Sequence, residues 1–447
     1  MKDLVLTKTN DIKINVIGGG LAGCECAYLL AKNGLNVSLY EMKPHQKSEA
    51  HKSDRLAELV CSNSLKSEAK TNACGLLKME MEVLGSLFME AAHHARVPAG
   101  QALAVDREKF SCYITQKIKE QENIQLIEEQ VENVQNLEGI TVIATGPLTS
   151  PNLLQNIKEM VGDEGLYFYD AVAPIVEADS IDHHIAYVLD RYGEKEGEGD
   201  YLNLPMSKEQ YEAFYQELIH ARQADRHEFD KLVLFEGCMP IEEMAKRGEK
   251  TLLFGPLKPV GLDNPKTGEK MHAVVQLRSE NAEKTMYNLV GFQTSLAFSE
   301  QERVFKMIPG LEHANFIRYG VMHKNSYINA SRLLDSHFCM KKNPNVYFAG
   351  QISGVEGYVE SAASGMMVAY SIMERLKGRD IVFPDTTMMG SLSRYIATEN
   401  KHFQPMNANF GIIKPLEVRI KDKKEKYTKL ADIALQDIGK VKEELDK

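Results

Sequence analysis

One cysteine stands in a setting that suits covalent chemistry better than packing. Cys238 lies in the stretch FEGCMP, with a glycine before it and a proline two residues after it, which favours an irregular turn over a core strand. A thiol becomes a nucleophile only as the thiolate, which is a few per cent of a free cysteine at neutral pH. Lys246 and Arg247 follow closely and could favour the charged form. The sequence therefore predicts a candidate nucleophile at position 238.

A second chemical signal lies near the N-terminus, where Gly18, Gly20 and Gly23 have G-x-G-x-x-G spacing. The run precedes a helix-like segment and follows a short buried strand, so backbone N–H groups can approach a phosphate at a helix N-terminus. Glu41 ends the next predicted strand, at the distance expected for a carboxylate that binds ribose hydroxyls. The pattern predicts a dinucleotide site, NAD or FAD, whose turn also includes Gly19, Leu21 and Ala22.

Two later turns favour FAD. A β-branched strand ends in Ala144-Thr145-Gly146, and another ends in Phe348-Ala349-Gly350-Gln351. Both resemble segments that close over the cofactor in large FAD-containing oxidoreductases. Gly146, Gly350 and Gln351 are therefore predicted cofactor contacts.

The glycine turns, with the strands and helices that flank them, predict an α/β fold. The fold is a Rossmann-like FAD-binding domain with an inserted α+β domain. The character of the chain changes from about residue 182 to residue 318, where charged and tyrosine-rich stretches alternate with turn signals. The predicted domains are 1–181, the first part of the FAD-binding domain; 182–318, the insertion that carries Cys238; and 319–447, the second part with a C-terminal helix. Residues 76–95 are predicted to be helical.

The composition excludes several classes of function. The net charge of -10 argues against a protein that binds polyanions over its whole surface, so RNA would need a local basic patch. Seven scattered cysteines without a C-x-x-C pair, together with no apolar run of membrane length and no signal-peptide pattern, predict a cytoplasmic protein and no membrane partner. The histidines have no metal-ligand spacing, so no metal is expected. Packing is the expected role of the five other cysteines, namely Cys24, Cys26, Cys74, Cys112 and Cys339.

Long stretches of the chain resemble the folate- and FAD-dependent tRNA uracil-5-methyltransferases. The stretches that carry the resemblance include INVIGGGLAGCECAYLL, LVCSNSLKSEAKTNACGLLKMEM, FEGCMPIEEMAKRGEKTLLFGPLKPVGL, GQISGVEGYVESAASG and HFQPMNANFG. The resemblance covers nearly the whole chain. It implies methylation of C5 of a uridine, uracil-54 of the tRNA T-loop, with 5,10-methylenetetrahydrofolate as carbon donor and FAD and NAD(P)H as sources of reducing equivalents.

The resemblance also implies roles for two cysteines. Cys238 matches the family cysteine that adds to C6 of the uracil, and this addition makes C5 nucleophilic. Cys61, in LVCSNS, matches the second family cysteine, near the flavin, which either removes the C5 proton or shields the adduct. Tyr358 could stack near the flavin or lie in the core.

Three alternatives remain at this stage. A sister group acts on a uridine of 23S ribosomal RNA, and a related flavin and folate enzyme modifies the tRNA wobble uridine. A flavin-binding RNA scaffold without turnover is the non-enzymatic alternative. The cations that could contact RNA are Lys246, Arg247, Lys250, Lys258, Lys266, Lys270, Arg278, Arg318, His323, Lys324 and the stretch 419–429.

Overall fold

The computed structural model describes residues 12–48, 51–60, 63–97, 99, 102–162, 166–169, 173–191, 201–224, 239–265, 267–279, 283–320, 325–400 and 403–447. Both predicted catalytic cysteines, Cys61 and Cys238, lie outside these ranges, as do Lys266, His323 and Lys324. The chain divides into two compact units, residues 1–168 with 326–447, and residues 169–325.

The strands are β1 Ile14–Ile17, β2 Val37–Tyr40, β3 Ser64–Ser67, β4 Arg96–Val97, β5 Ala102–Val105, β6 Ile124–Ile127, β7 Ile140–Ile143, β8 Leu166–Tyr169, β9 Ile175–Glu177, β10 Tyr187–Val188, β11 Tyr201–Met206, β12 Ala273–Ser279, β13 Met286–Leu289, β14 Phe316–Arg318, β15 Asn325–Ile328, β16 Cys339–Met340 and β17 Asn343–Phe348. The helices are α1 Leu21–Lys32, α2 Ala73–Val83, α3 Leu87–His94, α4 Arg107–Lys119, α5 Pro151–Val161, α6 Lys208–His220, α7 Ile241–Lys246, α8 Phe298–Phe305, α9 Ala330–Leu333, α10 Tyr358–Leu376, α11 Met388–Ala397 and α12 Lys423–Leu445.

The first unit is built on a mainly parallel sheet. Its strand order is β16-β17-β7-β1-β2-β6, and β17, β7, β1, β2 and β6 all run parallel. The residues of β1 and β7 are buried throughout, as expected for strands covered on both faces. The chain returns from residue 326 to add β17 beside β7, so the late glycine turn belongs to the same sheet as the first. This strand order confirms the predicted Rossmann-like α/β fold.

The second unit is an antiparallel sheet with helices, in the order β10-β11-β12-β13-β9-β14. Its core combines residues of these strands with Tyr211, Phe214 and Leu218 of α6 and with Ile241 of α7. The unit begins at residue 169, whereas the sequence placed the boundary at 181/182, because β9 precedes the change in composition and pairs with β13 and β14.

The predicted helix over residues 76–95 is two helices. α2 ends before Gly85, whose φ of +80° suits glycine, and Ser86 begins α3 by accepting a hydrogen bond from the Met89 amide at 3.2 Å. The apolar spacing continues across this break, so periodicity alone did not locate it.

Two buried glutamates bind the N-termini of helices other than their own. Glu25 of α1 accepts hydrogen bonds from the Leu87 and Phe88 amides, and Glu80 of α2 accepts them from the Met388 and Met389 amides. Burial raises the pKa of Glu25 to about 7 and that of Glu80 to about 8. These contacts fix α3 against α1 and α11 against α2.

Candidate functional site

The glycine turn after β1 is closely packed against its own backbone. A side chain at Gly23 would bring a Cβ within 3.0 Å of the Gly18 carbonyl oxygen, and one at Gly18, where φ is +105°, would meet the Ala144 carbonyl oxygen as closely. Glycine is therefore required at both positions for the strand to approach the helix. A Cβ at Gly20, in contrast, would have no atom of the described residues within 4 Å apart from those of its chain neighbours, which leaves space on this side of the turn.

The start of α1 leaves room and donors for an anion. Gly20 is its N-cap and provides no side-chain hydrogen bond, and the first turn, which contains Leu21 and Ala22, has no acidic residue. The first amides of a helix have no partner within the helix, and the helix dipole favours negative charge there. This donor set fits a pyrophosphate.

Glu41 lies where the carboxyl ends of β1 and β2 meet. Its carboxylate is buried and accepts hydrogen bonds from the Gly19 amide at 2.8 Å and the Lys43 amide at 3.0 Å. These two bonds hold the acid beside the glycine turn. Each carboxylate oxygen has a further lone pair with which it can accept a hydrogen bond from a hydroxyl, so the residue fits a ribose.

The other predicted cofactor glycines follow the neighbouring strands of the same sheet. Gly146 (φ +69°) comes after β7, and Gly350 (φ +77°) comes after β17. The Gly350 amide donates to the Ser364 hydroxyl at 2.7 Å, and a Cβ at Gly350 would lie 3.0 Å from the Ala22 Cβ. The turns at Gly18, Gly146 and Gly350 thus lie at the carboxyl ends of the parallel strands, where ligands bind in open α/β sheets.

Gln351 begins the short helical turn after Gly350 and is half-buried. α10 packs closely on α1, since a Cβ at Gly365 would lie within 3.0 Å of the Ala22 carbonyl oxygen. The structure therefore brings the ten predicted cofactor residues to one end of the parallel sheet, and these residues fit FAD. Their role in binding stays a prediction.

Three hydrogen bonds anchor the segment that follows Cys61. The Asn63 carbonyl accepts from the Val105 amide at 2.9 Å. The buried Lys78 ammonium donates to the Leu65 carbonyl and, at 3.2 Å, to that of Lys66. These bonds place β3, and with it the chain that leads to Cys61, firmly against β5 and α2.

Lys66 contributes a cation to this region. Its ammonium lies 3.4 Å from the fully buried Glu360 carboxylate near the N-terminus of α10, while about half of the Lys66 side chain stays exposed. The Glu360 charge raises the pKa of Lys66. Arg55, which precedes Cys61 in the sequence by six residues, pairs with Glu108 at 3.0 Å. Sequence reasoning missed Glu360, because an acid in an apolar helix has no distinguishing local pattern.

In the second unit, Glu242 anchors the helix that begins three residues after Cys238. It is 1% exposed and accepts hydrogen bonds from the Thr294 hydroxyl at 2.7 Å and from the Ser295 amide and hydroxyl at 2.7 and 2.6 Å. The Ile241 amide also donates to the Gln293 carbonyl at 2.7 Å. Glu242 therefore fixes the start of α7 against residues 293–295.

Replacing Glu242 by alanine should lower the stability of the protein by roughly 3 kcal/mol, because three buried donors lose a charged acceptor. The matched control is Glu243→Ala on the same helix, whose half-exposed carboxylate pairs with Lys246 at 2.8 Å and accepts a hydrogen bond from the Gln223 side chain at 2.6 Å, and which should contribute about 1 kcal/mol or less. Thermal unfolding of both variants measures the difference. Equal melting temperatures for the two variants would show that Glu242 is no anchor.

The remaining cysteines divide into buried and exposed thiols. Cys24, Cys26, Cys74 and Cys339 are buried, as predicted, and burial raises the pKa of each thiol, to about 12 for Cys74 and about 11 for Cys339. The prediction for Cys112 was wrong, because its side chain lies on the exposed face of α4. Cys339 lies in β16.

Several of the basic side chains that were predicted to contact RNA are exposed, but that of Arg318 is not. Arg247, Lys250 and Lys270 are exposed and Lys258 and Arg278 are half-buried. Arg318 is only 5% exposed, so its prediction as an RNA contact was wrong.

Among the described residues, no group of three histidine, cysteine or acidic side chains could hold a metal ion. In the same part of the chain, no helix combines the length and apolarity needed to span a membrane.

Known proteins with similar sequences match nearly the full length of the chain. The family model of glucose inhibited division protein A matches residues 13–380. Methylenetetrahydrofolate--tRNA-(uracil-5-)-methyltransferase TrmFO of Acetivibrio thermocellus is 55% identical over 95% of this chain and 97% of that protein. The proteins of the same name from Fusobacterium nucleatum and Listeria monocytogenes are 54% and 53% identical, over 95% and 97% of this chain and 97% and 99% of theirs.

Among solved structures, Aquifex aeolicus GidA in its form II crystal has a TM-score of 0.49 and 16% identity, over 98% of this chain and 74% of that chain. The sequence matches decide the assignment. More than half of the residues are identical over almost the whole length of this chain and of each relative, which confirms the resemblance predicted from the sequence. The chain belongs to the glucose inhibited division protein A family and, within it, to the folate- and FAD-dependent tRNA (uracil-5-)-methyltransferases.

Proposed function

We propose that this protein methylates C5 of a uridine in RNA, uracil-54 of the tRNA T-loop, with 5,10-methylenetetrahydrofolate as carbon donor, FAD as bound cofactor and NAD(P)H as reductant. The observation that carries the proposal is the identity of 55% with a relative of that name over 95% of the chain. We place the activity in the cytoplasm.

The cofactor residues have separate tasks. The amides at the start of α1, beside Gly20, Leu21 and Ala22, bind the pyrophosphate of FAD, and Glu41 accepts hydrogen bonds from its ribose. Gly146, Gly350 and Gln351 line the edge of the sheet across which the rest of the cofactor extends. Reduced FAD, when bound, supplies the two electrons that convert the transferred methylene group into a methyl group.

Cys238 is the nucleophile in the proposal. Its thiolate forms a bond to C6 of the uracil, and the electron pair displaced to C5 forms a bond to the methylene carbon of the folate as that carbon's bond to one folate nitrogen breaks. The C5 proton then passes to a base, and the bond of the same carbon to the second folate nitrogen breaks, which leaves a methylene group double-bonded to C5. A hydride equivalent completes the methyl group, and the thiolate leaves C6. Without addition at C6, C5 is too weak a nucleophile to begin this sequence.

We propose that Cys61 is the base that accepts the C5 proton. The described contacts that support the assignment are those of the segment after it, where Lys78 and Val105 fix the backbone and Lys66 provides a cation. Lys66 follows Cys61 by five residues in the sequence, and a cation beside a thiol would favour the thiolate, which is the form that accepts a proton.

One assay separates the proposal from its alternatives. Purified protein should show flavin absorbance and should methylate a T-arm transcript only when methylenetetrahydrofolate and NADH or NADPH are both present. A transcript with cytidine at position 54, a 23S ribosomal RNA fragment and an anticodon-arm transcript with a wobble uridine serve as competitors. Methyl transfer from S-adenosylmethionine, or methylation of the ribosomal fragment in preference to the T-arm, would contradict the proposal. An RNA scaffold would bind transcripts without modifying any of them.

A further inference from the structure

The second unit exposes a phenylalanine ring on its surface. Phe254 is 82% exposed, the highest fraction among the large apolar side chains in the described residues. It ends the short helical turn Leu252–Phe254, which follows α7. Leaving a large apolar ring in water forfeits roughly 2 kcal/mol of burial, so such a ring suggests a surface that meets a ligand or partner.

The turn that carries Phe254 is held rigidly. Leu252 and Leu257, on either side of the ring, are fully buried, and the Leu257 amide donates to the Leu252 carbonyl at 2.9 Å. The Val274 amide of β12 donates to the Leu257 carbonyl at 3.2 Å. A Cβ at Gly291 would lie within 3.0 Å of the Pro256 side chain, so the proline is packed against the sheet.

The far side of the turn is also fixed. The Arg191 guanidinium donates to the Lys258 carbonyl at 3.2 Å and to the Gln276 side chain at 3.0 Å, and it donates to the Val260 carbonyl as well. The exposed ring therefore sits on a preorganised support, and a ligand that stacks on it pays little ordering entropy.

The chain segment that carries the ring is basic in sequence. Lys250 and Lys258 stand four residues before and after Phe254, and residues 250–260 contain no acidic side chain. Lys208, Lys270 and His272 line a shallow depression nearby with Glu269. The Tyr211 hydroxyl donates to the Glu249 carbonyl, and its ring lies 5.3 Å from that of His272, which joins this depression to the segment at residue 249.

A single exposed ring between lysines, without a broad apolar patch, suits a nucleic acid better than a protein partner. Aromatic rings stack on unpaired bases, and lysines bind the phosphates on either side. Phe254 follows Cys238, the proposed nucleophile, by sixteen residues in the sequence, with α7 between them. A uridine must also leave its stack to react at C6, which leaves unpaired bases beside it.

We propose that Phe254 is a stacking surface for an unpaired base of the RNA substrate, with Lys250 and Lys258 on the adjacent phosphates. The proposal rests on the proposed function and adds to it a residue of the RNA-binding surface.

The test uses the FAD-loaded full chain and a labelled T-arm RNA. Phe254→Ala should weaken RNA binding by about 5- to 100-fold in fluorescence anisotropy, the range found when one base loses its aromatic partner. Phe254→Trp should keep the wild-type affinity, because its ring also stacks. The matched control is Phe298→Ala, a second half-exposed ring of this unit, which stacks on Tyr319 and should leave RNA affinity unchanged.

Two results would overturn the inference alone. The first is wild-type RNA affinity in Phe254→Ala while the wild-type protein binds and methylates RNA. The second is a raised KM for methylenetetrahydrofolate with unchanged RNA affinity, which would assign the ring to the folate. A wild-type protein that neither binds nor methylates T-arm RNA would instead refute the proposed function, and the inference with it.

Discussion

Replacing Cys238 by alanine should abolish methylation while FAD stays bound. In the proposed mechanism this side chain provides the bond to C6 that makes C5 nucleophilic, and alanine offers no substitute for it. Removal of a catalytic nucleophile typically lowers turnover by at least about 10³-fold. The cofactor residues lie on other segments, namely the turns after β1, β7 and β17, so the flavin absorbance per protein should equal that of the wild type.

The chain offers a matched control in Cys112. Its thiol is exposed on α4 and has no assigned role, so Cys112→Ala should retain wild-type turnover and flavin content. Loss of activity in both variants would point to a general effect of cysteine removal. Retained methylation in Cys238→Ala would refute the proposed nucleophile directly.

RNA with 5-fluorouridine at the target position separates the roles of the two cysteines. Fluorine cannot leave C5 as a cation, so the reaction stops after C6 has bonded to sulfur, and protein and RNA remain covalently joined. Wild-type protein and Cys61→Ala should form this adduct, and Cys238→Ala should not. An adduct that is lost in Cys61→Ala and kept in Cys238→Ala would exchange the two assignments.

The sequence predicted the parts of the fold in which local pattern and tertiary role agree. β1, the glycine turn and α1 lie as expected, since a short apolar strand, a glycine run and an alanine-rich helix each indicate one structure. The C-terminal helix was equally clear, and it spans Lys423–Leu445.

Other features depend on contacts that local pattern does not contain. Glu242 lies beside Thr294 and Ser295, about fifty residues away in the chain, and nothing near position 242 indicates that its carboxylate is buried. Arg318 is adjacent to β9 in the sheet and loses its exposure there, although its neighbours in sequence suggested a surface. Burial of a charge is a tertiary property, and one sequence does not reveal it.

Gly20→Ala and Gly23→Ala should damage the cofactor site in different ways, although both change one glycine to alanine in the same turn. At Gly23 the added methyl group meets the Gly18 carbonyl oxygen within 3.0 Å, so the turn itself must shift and the melting temperature should fall. At Gly20 the backbone has φ -80° and ψ -167°, which alanine adopts, and in the described part of the chain only the neighbouring residues have atoms within 4 Å of the new Cβ.

The apoprotein of Gly20→Ala should therefore melt like the wild-type apoprotein, yet bind FAD at least about tenfold more weakly, because the methyl group occupies the space that the pyrophosphate needs. Gly439→Ala is the control, since a Cβ at this glycine of α12 would likewise meet no described atom within 4 Å apart from the backbone of its own helix, and the change should add about 0.5–1 kcal/mol of stability without any change in FAD affinity. Fluorescence titration of apoprotein with FAD and thermal unfolding measure both quantities. Wild-type affinity in Gly20→Ala would mean that the phosphates do not approach this end of α1, and the cofactor would then have to be placed elsewhere along the edge of the sheet.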